Sequence, residues 1–292
     1  MISYISLSQL SANEMVALWN RGFEGYYFNA TMDLDRYLSR AVSEGLSLEH
    51  SLAIAEDGEP VGFTMNGFRM INGKKTAWNG GTGIAKEYRG KGYGKQLLQR
   101  TVELYRQQGV ELALLEAIIQ NEPAIKLYQS VGYRVMGELI SVSNEDALDA
   151  SLLLPSFPHR FTIRHVEPQE LLELPFYDRL SAWQTQWQSH KDGECCIIAD
   201  GAEQVGFALY KRGYGDDGQL KSIGLYQCEA APGRADQSKI LKTLLREVFG
   251  PLEQPIKRST LNLRSTNTEL HELFERLGFK PYVEQVHMEL NL

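Results

Sequence analysis

The sequence predicts an α/β chain, of the α+β mixed-sheet kind, built as two similar halves. Three observations carry this. Thr82 to Val102, TGIAKEYRGKGYGKQLLQRTV, reads as the end of a strand, a glycine-rich turn and the start of a helix with Leu97, Leu98, Val102 and Tyr105 on one face. Further on, Leu112 to Ile119 is an apolar strand-like run. Asn121 and Pro123 then open a short helix that ends at Gly132, and Tyr133 begins another strand. The second half repeats this outline: Asn267, Phe274 and Gly278 stand at the spacing of Asn121, Tyr128 and Gly132.

Taken in order, residues 2–7 read as a first strand. Ser11, with Glu14 three residues later, is a capping-box start for an amphipathic helix through Trp19. The stretch NRGFEGYYFNATMDLDRY follows, in which Phe23, Tyr26, Tyr27 and Phe28 crowd around Gly22 and Gly25. Ser51 to Ala55 and Val61 to Phe68 are strand-like and flank Asp57-Gly58, a strong hairpin signal. Asn72-Gly73 marks the next turn, before a run through Trp78. Asn79-Gly80-Gly81 then interrupts that strand, as a β-bulge would.

The glycine turn carries the chemistry. Gly90, Gly92 and Gly94 alternate, so backbone can pass close to a ligand. The helix that follows directs free N–H groups and a positive dipole end forward, and phosphate is the usual occupant of such a site. Arg89, Lys91 and Lys95 add positive charge. Gly90 and Lys95 do not meet the Walker A spacing, and Lys95 stands where a dinucleotide fingerprint needs its third glycine. The turn is an anion cradle for a phosphorylated co-substrate.

Arg89-x-x-Gly92-x-Gly94 between strand and helix resembles the acetyl-CoA pyrophosphate loop of the GNAT superfamily of N-acetyltransferases. The later pattern Asn121-x-x-Ala124-x-x-Leu127-Tyr128-x-x-x-Gly132-Tyr133 is similar to that superfamily's second signature. The resemblance covers His50 to Leu139. It implies that acetyl-CoA lies along Thr82, Gly83, Ile84 and Ala85, with its pyrophosphate on Arg89, Gly90, Lys91, Gly92, Tyr93, Gly94 and Lys95. It implies that Asn121 holds the pantetheine arm or the start of its own helix. Tyr128 would bind beside the thioester and donate a proton to the departing thiolate. Backbone N–H near Ile84 would polarise the thioester carbonyl. The acceptor would be walled by Phe23, Glu24, Tyr26 and Tyr27; packing between two helices is the other reading of those aromatics. A base or a water chain must take the acceptor's proton, and Glu116 and Glu24 are the candidates. No metal is required.

The second half lacks the alternating glycines: its matching segment is CEAAPGRADQSKILKTLLREV, with Arg234. Phe274, which has no proton to give, stands at the place of Tyr128. The expectation is a GNAT acetyltransferase domain over 1–142, a linker over 143–160 containing Pro155, Pro158 and His159, and a degenerate GNAT-like domain over 161–292. The composition, 43% hydrophobic and 23% charged, is globular, and a net charge of −7 argues against a nucleic-acid binder. Three cysteines at unpaired spacings fit a reducing compartment. No targeting or membrane segment is apparent, so the expected location is the cytoplasm. There is no Gly-x-Ser-x-Gly or His-Glu-x-x-His, and the six histidines form no ligand spacing. The reading is an acetyl-CoA-dependent N-acetyltransferase acting on a small amine or a peptide, as a monomer or homodimer. A non-catalytic acyl-CoA-binding protein and a nucleotide-dependent enzyme are the alternatives.

Overall fold

The computed structural model describes residues 1–154 and 161–292. The chain divides into two compact units, Met1–Met136 with Val286–Leu292, and Gly137–Gln285.

The first unit runs β1 (Ile2–Ser6), α1 (Ala12–Gly22), α2 (Leu34–Ser43), β2 (Leu46–Glu56), β3 (Glu59–Ile71), β4 (Lys74–Ile84), α3 (Tyr93–Gln107), β5 (Leu112–Ile118), α4 (Glu122–Ser130) and the start of β6 (Arg134–Asn144). The capping box forms: Ser11 caps the Glu14 amide, and the Glu14 carboxylate accepts from the Ser11 amide at 2.7 Å. α1 buries Met15, Leu18, Trp19 and Gly22, a single helical stripe. The Asp57-Gly58 and Asn72-Gly73 turns hold both residues at positive φ, the left-handed geometry that tight hairpins need. The β1-β2, β2-β3 and β3-β4 pairs are antiparallel, and β4-β5 is parallel. α3 buries Leu97, Leu98, Thr101, Val102 and Tyr105. Each such aliphatic side chain contributes about 1.5–3 kcal/mol of burial.

The second unit continues with β7 (Phe161–Val166), β8 (Glu194–Asp200), β9 (Glu203–Tyr214), β10 (Leu220–Ala230), α5 (Gln237–Phe249), β11 (Lys257–Thr260), β12 (Leu263–Arg264), α6 (Thr268–Arg276) and most of β13 (Lys280–Asn291). It repeats the first unit's pairing, with β7-β8 and β8-β9 antiparallel, β9-β10 antiparallel and β10-β11 parallel. The repeat extends to single hydrogen bonds. Ala85 N–H donates to Val61 O at 2.8 Å, and Ala231 N–H to Val205 O at 2.8 Å. In place of α1 and α2 the second unit has short 3-10 turns at Pro168–Glu173, Trp183–Thr185 and Trp187–Ser189.

The sixth strand place differs from simple chain order. In the first unit it is filled beside β5 by the 286–291 part of β13. In the second it is filled beside β11 and β12 by β6. The division therefore differs from the sequence expectation of 1–142 and 161–292. Of the expected linker over 143–160, residues 143–154 belong to the second unit: Leu148 and Leu153 are buried in its core, and Leu148 N–H donates to Leu252 O at 2.8 Å. Local polarity hid these anchors, because what they pack on lies a hundred residues away in sequence. Pro155, Pro158 and His159 lie outside the described residues. Among the described residues no helix is long and apolar enough to cross a membrane.

Candidate active site

The first unit holds a cavity of about 540 Å³. Its position follows from one break in the sheet. β4 pairs with β5 only from Thr76–Leu112 to Trp78–Leu114. Beyond that pair the β5 side of β4 is unpaired, and Thr82, Gly83 and Ile84 line the cavity. The break coincides with a bulge: Met65 opposes Gly81 and Asn66 opposes Asn79, leaving Gly80 as the extra residue. Glycine is required at two neighbouring places, since a Cβ on Gly80 would lie 2.4 Å from the Trp78 ring, and one on Gly83 would lie 3.0 Å from Gly22 Cα.

The anion cradle closes one end. Gly92 is the N-cap of α3 at φ 84°, with no side chain capping the first-turn amides. Those N–H groups have no partner within the helix, and Gly92, Tyr93, Gly94 and Lys95 all line the cavity. Arg89 and Gly90 line it too. The Arg89 guanidinium, however, is already committed to carbonyls: Ile84 at 2.9 Å, Gly22 at 3.0 Å and Glu24 at 2.9 Å. It buckles the end of α1 to the cradle. Lys91 is not among the lining residues and sits over the Tyr88 ring at 4.7 Å. Ala85 is fully buried and outside the lining. Tyr93 hydrogen-bonds Glu56, which pushes its hydroxyl up to about 12.

α4 closes the opposite side. Asn121 is its N-cap, its Oδ1 accepting from the Ala124 amide at 3.3 Å. Pro123, Ala124, Leu127 and Tyr128 form one stripe of α4 facing the cavity. Tyr128 is 8% exposed, and burial pushes its hydroxyl up to about 12, against a hydrogen bond with Thr82. It is therefore protonated throughout the neutral range.

The aromatic segment after α1 forms the third wall. Phe23, Tyr26 and Tyr27 line the cavity. Their rings meet edge to face, Phe23–Tyr26 at 5.0 Å and Tyr26–Tyr27 at 5.4 Å. Tyr27 donates to Gln120 O at 3.0 Å. Phe23 also packs on Trp19 and Phe63, as the packing reading of these aromatics expects. Glu24 is outside the lining, largely exposed, and paired with Lys86 at 3.3 Å. Glu116 is also outside it: its 4% exposed carboxylate accepts from Trp78 Nε1 at 2.7 Å and lies 3.8 Å from His287. Sequence reasoning passed over Tyr88, Pro123 and Leu127. The last two were legible as the helical neighbours of Tyr128.

Residues 12–133 match the Acetyltransferase (GNAT) family. The matched residues lie within the first unit. A probable spermine N(1)-acetyltransferase of Bacillus subtilis subsp. natto is 36% identical over 91 residues, 28% of this chain and 58% of that protein. The chain thus spans little more than half the length of that curated relative. Among solved structures, a GCN5-related N-acetyltransferase from Sphaerobacter thermophilus superposes with TM-score 0.66 at 18% identity, covering 100% of this chain and 95% of that one. A tandem GNAT protein from the clavulanic acid biosynthesis pathway gives TM-score 0.63 at 12% identity, covering 100% and 98%. The whole-chain fold is that of GNAT structures, a tandem one among them.

In the second unit, residues at the counterpart positions are engaged by its own carboxylates. Its bulge recurs at Tyr226. Glu229 stands at the place of Gly83 and accepts from Asn267 Nδ2 at 3.0 Å. Arg234 is held by Asp236 at 2.7 Å, Asp200 at 3.0 Å and Glu203 at 3.0 Å. Burial pushes the Glu229 carboxyl from 4.5 up to about 7, against the Asn267 bond. The folded state holds this proton more tightly than the unfolded chain does. The resulting stability is full at about pH 4.5 and is lost as pH rises to about 7. Melting across pH 5 to 8 should show up to roughly 3 kcal/mol of this loss, at 1.36 kcal/mol per unit. Glu229→Gln should flatten that slope; an unchanged slope would refute the assignment.

Proposed function

We propose that the first unit is an acetyl-CoA-dependent N-acetyltransferase that moves an acetyl group directly to a primary amine of a small molecule or peptide. The observation that carries this is the pairing, across one cavity, of uncapped α3 amides with the protonated Tyr128 hydroxyl. The amides of residues 92–95 would bind the pyrophosphate, an anion at a helix N-terminus. The unpaired backbone of Thr82 to Ile84 would hold the pantetheine arm and polarise the thioester carbonyl. In the reaction a neutral amine attacks that carbonyl, the C–N bond forms and the C–S bond breaks. The Tyr128 hydroxyl gives its proton to the sulfur. Glu116, the first β5 side chain past the last β4-β5 pair on the Trp78 face, is the proposed base. Its buried position requires a short water relay to the amine. The similarity to a spermine acetyltransferase and the net charge of −7 favour a cationic amine, with polyamines the first to try. The carboxylates at the second unit's counterpart positions support one co-substrate site per chain; the proposed setting is a cytoplasmic monomer or homodimer.

Calorimetric titration with acetyl-CoA tests this reading. One site per chain is expected. Gly92→Glu should weaken it roughly 100-fold or more, because a Cβ at positive φ costs about 1–2 kcal/mol and the carboxylate meets the pyrophosphate. Absence of binding at millimolar ligand, or two equal sites, would sink the reading.

A further inference from the structure

The most heavily supported side chain beside the site belongs to none of its walls. Arg40, on α2, donates from Nη2 to the Gly80 carbonyl at 2.6 Å. Its Nε pairs with Glu44 at 2.9 Å, and its guanidinium lies 4.8 Å from the Trp19 ring and 5.8 Å from the Trp78 ring. The side chains of Arg40 and Glu44 are only 16% and 11% exposed. A charge held this way, by an ion pair and two aromatic faces, has little freedom left.

What it holds is the bulge residue. A bulge leaves its extra residue out of the ladder, so the carbonyl of Gly80 needs a partner from elsewhere. Arg40 supplies it. Without that pin the bulge can move by one position, and a one-residue slip turns every following side chain to the other face of the sheet. The residues that follow are Thr82, close to the Tyr128 hydroxyl, and Ile84, both in the cavity lining. A second branch leaves from the same guanidinium: Trp78, under Arg40, directs its Nε1–H to Glu116.

We infer that Arg40 is a positioning residue for acetyl transfer: it fixes the β4 bulge, and with it the alignment of the thioester-holding backbone, Tyr128 and Glu116. This rests on the acetyltransferase reading above. Arg40 lies outside the cavity lining. Its loss therefore acts on turnover rather than on co-substrate affinity.

The test uses the full chain with Arg40→Met, Arg40→Lys and the wild type. The readouts are kcat and KM with an amine acceptor, CoA affinity by calorimetry, and Tm. The expected result for Arg40→Met is a kcat at least 30-fold lower with CoA affinity within threefold of wild type. Arg40→Lys, which can reach the carbonyl but not hold the stacked pair geometry, should recover at least fivefold of that loss. If Arg40→Met does not fold, Arg40→Gln, which keeps an N–H donor without the charge, is read by the same two criteria. A kcat within twofold of wild type, or CoA affinity falling in step with kcat, overturns the inference. A wild-type chain with no turnover overturns the acetyltransferase reading and this inference with it. An active wild type with an unaffected Arg40→Met overturns this inference alone.

Discussion

Replacing Tyr128 by Phe is expected to lower kcat roughly 100-fold while CoA affinity stays within about threefold, since a positioned general acid typically supplies 10²–10⁴-fold. The substitution removes one hydroxyl and keeps the ring. The ring packs edge-on to Tyr133 at 6.0 Å and faces the core around Leu98 and Val102. Losing the hydroxyl's polar contact with Thr82 costs at most about 1 kcal/mol of stability, too little to unfold the unit. The pH profile gives a second check. Tyr128 titrates at about 12, so in the wild type it causes no fall in rate below pH 10. Any basic limb seen there belongs to another group and persists in the variant. Unchanged turnover in Tyr128→Phe would remove the residue from the mechanism; a folded wild type that binds CoA without turnover would make the unit an acyl-CoA-binding module.

Ending the chain at Gln285 is expected to unfold the first unit, although its own core is nearly all encoded before residue 137. Val286, Met288 and Leu290 are 6%, 0% and 7% exposed and pack with Ala77, Leu98, Tyr105 and Leu115. Leu292 N–H donates to Glu111 O at 3.1 Å, and Arg134 pairs with Glu289 at 2.7 Å. Three buried apolar side chains at about 1.5–3 kcal/mol each represent roughly 4.5–9 kcal/mol. That is comparable to the whole stability of a domain, about 5–15 kcal/mol. Truncation also bares the edge of β5, the strand beside the cavity, and removes His287 from beside Glu116. Circular dichroism and limited proteolysis of the 1–285 chain would decide: loss of the first unit's cooperative melt is expected. A melt within a few degrees of the full chain, with CoA binding retained, would show that residues 286–292 are dispensable.

Much of the site was readable in one dimension because its signals are local. The left-handed cap at Gly92, the Asn121 cap, the Tyr128 stripe and the aromatic run after α1 each depend on residues within a turn or two. The structure places nearly all of them around one cavity. Where the reading and the structure part, the cause is a partner distant in sequence. Arg89 looked like a charge for phosphate, but carbonyls at the end of α1 already occupy it. Glu24 looked like part of the acceptor wall, but Lys86 draws it out to solvent. Glu116 lies at the fork of the strands but outside the lining, bonded to Trp78 and beside His287, so it reaches the acceptor only through the proposed water relay. Arg40 gave no motif at all, since its meaning lies in a carbonyl forty residues on.

The sequence by itself determined the fold class, the repeat and most of the residues that line the cavity, because helix caps, tight turns and bulges are written in short runs of glycine, asparagine and proline. Only the tertiary structure decided which strand completes which sheet, what holds the bulge, and which charges remain open to a ligand. Those outcomes depend on pairing between segments far apart in the chain. Hydrophobic pattern specifies that a strand must be covered, but not by which segment.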